Sequence, residues 1–144
     1  MDSQQPPIVP REAIADLEAL YRRVDEEVAS LGLTCERCGR CCDFAANDYR
    51  LYASWLERAL VLSRHGPPRL RPDGRCAFQD GRDCSIHPDR PLGCRLFFCG
   101  AEARRAGEEL HERFIRDLRG LSERHGLPWD YAPFFADVAG AAQP

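Results

Sequence analysis

Lysine is absent: all twenty basic residues among the 144 are arginine. Arginine therefore serves every cationic surface role, and the arginines are spread along the chain without the concentrated basic patch that nucleic-acid binding needs. Long apolar runs are also missing, so no segment can span a bilayer. The opening residues, MDSQQPPIVPREA, lack a basic stretch followed by an apolar one. That is not the pattern of a secretory signal, and a cytoplasmic location is the expectation. No internal repeat, phosphate-binding loop, serine–histidine–acid set or paired carboxylate site is apparent. His65, His111 and His125 suggest no catalysis. An enzymatic role would require an open metal coordination position, which sequence does not display.

Cysteine, by contrast, is abundant. Eight occur, four of them within the eight positions CERCGRCC, namely Cys35, Cys38, Cys41 and Cys42; Cys76, Cys84, Cys94 and Cys99 follow. A disulfide framework, a redox CxxC and a metal site compete to explain that box. A reducing cytosol does not usually sustain structural disulfides. A thioredoxin-like CxxC wants a strand–helix context, which Leu33-Thr34 after a helix does not provide. Metal ligation is the reading that compartment and spacing favour. A Cys-x-x-Cys turn brings two sulfurs to one metal, and CxxCxxC sets three around one centre, as in iron–sulfur proteins. The bacterial ferredoxin run would continue with three residues and Cys-Pro, whereas here Cys42 follows at once. The later cysteines include no second CxxC, so an ordinary zinc ribbon is a poor match too. Because successive side chains of extended backbone point to opposite faces, Cys41 is expected to complete a knuckle with Cys35 and Cys38 while Cys42 faces the later half.

Length and composition suit one soluble globular domain with a modest core: 44% of residues are hydrophobic and 30% charged. Residues 35–99 carry a net charge of +3 and the flanks −6. The arginines of the middle segment are either counterions for ligated thiolates or ordinary surface charge.

Apolar spacing predicts an amphipathic helix from Arg11 to Leu31, built on Ile14, Leu17, Leu20, Tyr21, Val24, Val28 and Leu31 and stopped by Gly32. A second helix is expected from Asp48 to Arg64 and ends at His65-Gly66-Pro67-Pro68. Between Pro67 and Gly100 the pattern turns irregular. A small hairpin is expected there, with Cys76-Ala77-Phe78 and Cys84-Ser85-Ile86 as its arms. Pro91 can open one helical turn leading to Cys94. A third helix runs from Glu102 to His125 with Leu110, Phe114, Leu118 and Leu121 as its stripe, weakened by Gly107. Trp129, Tyr131, Phe134 and Phe135 then look like anchors for the tail. The expected layout is mainly α, a small helical domain wrapping an irregular cysteine-rich centre. Residues 1–10 would be a flexible arm, 11–136 a single domain with its motif core at 35–99, and 137–144 a flexible tail.

The series C35-ERC38-GRC41-C42, C76-AF and C84-SIHPDRPLGC94-R resembles the YkgJ-type cysteine-cluster family, whose common element is a CxxCxxCC zinc- or iron-chelating domain. The resemblance spans residues 35–98 and implies metal binding by Cys35, Cys38, Cys41, Cys42, Cys76, Cys84 and Cys94. Cys99 is an eighth candidate. His87 stands where that family usually has tyrosine; a turn histidine before proline reads as a surface or hydrogen-bonding residue. Arg90 and Arg95 flank the Pro91–Cys94 turn, where they either donate to cluster sulfurs and nearby carboxylates or bind surface acids. The expected cofactor is an iron–sulfur cluster in an electron-transfer or redox-accessory role. The alternative is a structural zinc module that presents a surface to a protein partner.

Overall fold

The computed structural model describes residues 9–33, 50–81, 83–98 and 100–135. These form a mainly helical fold with small antiparallel strand pairs. Helix α1, Arg11–Ser30, buries Ala13, Leu17, Leu20, Tyr21 and Val24 along one face. Its end is a Schellman turn: Gly32, at φ 73°, donates to the Ala29 carbonyl, and Leu33 donates to that of Val28. Leu31 lies past the packed stripe and is 53% exposed, unlike the core position expected of it.

The second helix starts later than its apolar spacing suggests. Helix α2 is Trp55–His65, and Ser54 caps it. The Ser54 side chain accepts from the Glu57 amide while the Glu57 carboxylate accepts from the Ser54 amide, a reciprocal capping box that fixes the start. Leu51 and Ala53 are buried outside the helix, and Tyr52–Ala53 form strand β1. Gly66, at φ 96°, ends α2 where expected.

The hairpin exists in a shifted register. Strand β2 is Gln79–Asp80 and strand β3 is Asp83–Cys84, paired Gln79 with Cys84 and Asp80 with Asp83. Cys76 is not in the expected arm; it forms an isolated bridge with Leu70. The close spacing of Asp80 and Asp83 places the turn at Gly81, φ 65°, so the preceding residues Cys76–Phe78 fall outside the ladder. A 3-10 turn at His87–Asp89 leads to α3, Leu92–Arg95, which Pro91 precedes at the N-cap, so the expected helical turn to Cys94 is present. Helix α4, Ala101–Arg124, buries Leu110, Phe114, Leu118 and Leu121. Strand β4, Ala132–Pro133, returns antiparallel to β1. Arg58 secures that return by bonds to the Asp130 carboxylate and to the carbonyls of Asp130 and Ala53.

Two apolar clusters result. The larger joins α1 and α4 with Leu56 and Leu60 of α2 and with Leu92, Leu96 and Phe98. The smaller gathers Leu51, Ala53, Val61, Cys76, Ile86 and Phe134. Helix α2 contributes to both and so divides them. Gly107 is no simple weakness in α4: a Cβ there would collide with the Leu96 carbonyl, so its absence lets α4 lie against the end of α3.

Candidate metal centre

Cys76, Cys84 and Cys94 are contributed by three separate pieces of backbone. Cys76 follows the bridge to Leu70 and is buried, and its sulfur accepts from the Phe78 amide at 3.4 Å. An amide pointed at a sulfur stabilises a thiolate, the form that binds metal. Cys84 closes strand β3, and Cys94 sits on α3. Cys76 belongs to the smaller apolar cluster, and Cys84 and Cys94 pack against it. The fold therefore brings these three to one region, as partly or fully buried soft donors, a chemistry that suits zinc or an iron–sulfur cluster. Among the described residues no group of three His, Cys, Asp or Glu side chains is close enough to hold a metal by itself. Cys35, Cys38, Cys41, Cys42 and Cys99 lie outside the described residues, and with them the expected division of labour between Cys41 and Cys42.

The two candidate arginines hold the Cys94 turn by its main chain. Arg90 donates through Nε to the His87 carbonyl at 3.0 Å and through a terminal nitrogen to that of Cys94 at 3.4 Å. Arg95 is buried, with its guanidinium 3.9 Å over the Tyr21 ring and paired with Asp25 at 2.8 Å. It also donates to the carbonyls of Arg90 and Pro88. His87 lies in the 3-10 turn and is half-buried. His65 bonds Asp89 of that turn at 2.8 Å, which ties the end of α2 to it.

Sequence reasoning missed Glu57. This carboxylate is 1% exposed. One oxygen accepts from the Ser54 amide and hydroxyl at 3.0 and 3.1 Å; the other accepts from the Tyr21 hydroxyl at 2.9 Å and the Leu92 amide at 2.7 Å. It joins α1, α2 and the start of the turn that carries Cys94, and four donors offset the cost of burying it. Burial, reinforced by the Glu57 charge, pushes the Tyr21 hydroxyl well above the usual tyrosine range, so Tyr21 remains a donor. The Ser-x-x-Glu spacing was the available signal. Arg71 and Arg75 were also missed: both donate to the side-chain oxygen of buried Gln79, the partner of Cys84 across the hairpin.

A family model described as "CxxCxxCC: Putative zinc- or iron-chelating domain" matches residues 34–110, more than half of the chain. No curated protein and no solved structure matches it.

Proposed function

The chain belongs to the family of CxxCxxCC zinc- or iron-chelating domains, and on that premise we propose that it holds an iron–sulfur cluster in an electron-transfer or redox-accessory role. The ligands are drawn from Cys35, Cys38, Cys41, Cys42, Cys76, Cys84, Cys94 and Cys99. The convergence of Cys76, Cys84 and Cys94 on one small apolar cluster is the observation that supports this most directly. When bound, such a cluster supplies reversible one-electron chemistry. Burial of Cys76 and the amide donated to its sulfur are the features by which a protein sets cluster potential. Arg90 and Arg95 fix the backbone that leads to Cys94 through the carbonyls of His87, Pro88, Arg90 and Cys94. A reducing cytoplasm would keep the thiols available.

Anaerobic purification followed by metal and acid-labile sulfide analysis, with a visible absorption spectrum, tests the proposal. Iron with sulfide in coloured protein is the expected result. Colourless protein with stoichiometric zinc would replace it with a structural module that presents a surface to a partner. Within that experiment Cys41→Ser is expected to lose the metal held by the knuckle, whereas Cys42→Ser loosens the later half with partial retention. Equal and complete loss in both would mean one indivisible site.

A further inference from the structure

A cleft of about 520 Å³ opens between α4, the end of α3 and the β1–β4 pair. That volume falls within the roughly 300–1,000 Å³ typical of small-molecule sites. One wall is aromatic. Tyr52 and Tyr131 stack with centroids 5.9 Å apart, and Trp129 stacks behind Tyr131 at 5.8 Å. Among the described residues only three large hydrophobics are exposed, and Tyr52 and Tyr131 are two of them. A stack of rings whose members Tyr52 and Tyr131 stay partly exposed is a surface prepared for another ring.

Around that wall stand charges of both signs. Arg104 places its guanidinium 5.1 Å over the Phe97 ring, and Arg50 also lines the cleft. Glu108 and Glu112 line it from the same helix as Arg104. Residues 104 and 108 have the spacing at which helical ion pairs form. Yet among the described residues none of these four side chains has an ion-pair partner, although nine arginine–carboxylate pairs form elsewhere. His111 and Tyr131 meet at 3.1 Å inside the cleft. Burial lowers the His111 pKa and raises that of Tyr131 to about 12, so the pair offers hydrogen bonds and no charge at neutral pH. The four charged side chains sum to zero, which disfavours a phosphorylated or dicarboxylate ligand.

We propose that this cleft binds a small zwitterionic aromatic molecule of the free aromatic α-amino acid class. Its carboxylate faces Arg50 and Arg104, its ammonium faces Glu108 and Glu112, and its ring extends the stack at Tyr52. Gly93, which also lines the cleft, precedes Cys94, so the ligand sits beside the cysteine-bearing turn. The proposal does not depend on which metal the cysteines hold.

The test uses the full chain as purified, in a Trp55→Phe background so that Trp129 is the sole tryptophan fluorophore. Phenylalanine, 3-phenylpropanoate and 2-phenylethylamine are titrated by fluorescence and calorimetry. Phenylalanine is expected to bind and change Trp129 emission, with both singly charged analogues at least about tenfold weaker. Arg104→Gln should weaken phenylalanine and 3-phenylpropanoate while sparing 2-phenylethylamine, and Glu108→Gln should do the reverse. Both positions are exposed, so an unchanged melting temperature shows that each variant is folded. The proposal is overturned by no response to phenylalanine, by equal binding of the three probes, or by binding that neither substitution alters.

Discussion

Among the described residues, fourteen buried side chains build the cluster between α1 and α4, against six in the cluster beside the cysteines. The first comes from helices of 20 and 24 residues, whose own hydrogen bonds satisfy the backbone. The second is lined by strands of two residues, glycine turns and an isolated bridge. Each residue of such irregular chain costs roughly 1–2 kcal/mol to order, and six side chains are few to set against the segment from Gly66 to Pro91. With the proposed ligands Cys76, Cys84 and Cys94, metal ligation would supply an additional term to this half, since metal binding free energy there becomes folding free energy. Cys94 occupies the junction. Its turn is anchored by Leu92 and Leu96 in the larger cluster, while the cysteine packs against the smaller.

Chelation should expose that contrast most fully. Hydrogen exchange on metal-free protein is expected to show protection lost from Arg69 to Ile86 and kept across α1, α4 and the Leu92–Arg95 turn. Uniform protection, or uniform loss, would mean that the two regions fold as one. A matched pair of core truncations sharpens the same comparison. Leu118→Ala, at a side chain with no exposure, should cost about 2–5 kcal/mol in urea unfolding with or without metal. Ile86→Ala should act mainly on the metal-bound protein, as faster transfer of metal to a competing chelator.

The joint between the regions gives the next largest effect. Glu57→Gln replaces one of the two carboxylate oxygens by an amide nitrogen, so either the Ser54 donors or those of Tyr21 and Leu92 lose their acceptor, at a cost of about 1–3 kcal/mol. Because Leu92 opens the Cys94 turn, the variant should also release metal faster than a surface substitution of equal stability does. Tyr21→Phe removes one donor and should cost about 0.5–1.5 kcal/mol.

The stronger region was the more legible one. Its helices follow from the spacing of Leu17, Leu20, Tyr21 and Val24, and of Leu110, Phe114, Leu118 and Leu121, and the ends of α1 and α2 from Gly32 and Gly66, because that information is local. The start of α2 was misplaced because Leu51 and Tyr52 continue its apolar rhythm, and only the Ser54–Glu57 box distinguishes strand from helix there. Pairing of β1 with β4 joins residues far apart in the chain and has no local sign. The role of Gly107 depends on Leu96 approaching from another element. For the centre, the motif indicated the region of Cys76, Cys84 and Cys94, while the hairpin register turned on the placing of Gly81, and Arg90 and Arg95 spend donors on nearby main-chain carbonyls, a use that residue type alone does not announce.

The smallest expected effect concerns pH, at the His111–Tyr131 contact where the tail meets α4. Burial disfavours the charged imidazolium, so the folded pKa of His111 lies below its ordinary value of 6.5. Between those two values the unfolded chain binds more protons than the folded one, and stability therefore rises with pH. The contribution is complete above 6.5 and declines as pH falls from there through the folded pKa. Tyr131 acts at the other end: its pKa is raised from 10.0 to about 12, so its contribution is present below 10 and is lost as pH climbs through 12. Urea unfolding of the metal-loaded protein from pH 7.5 down to the onset of metal release should show the acid-side decline, and His111→Gln should flatten it. A slope that survives this substitution would assign the dependence to the cysteine region, whose thiolates take up protons as metal leaves.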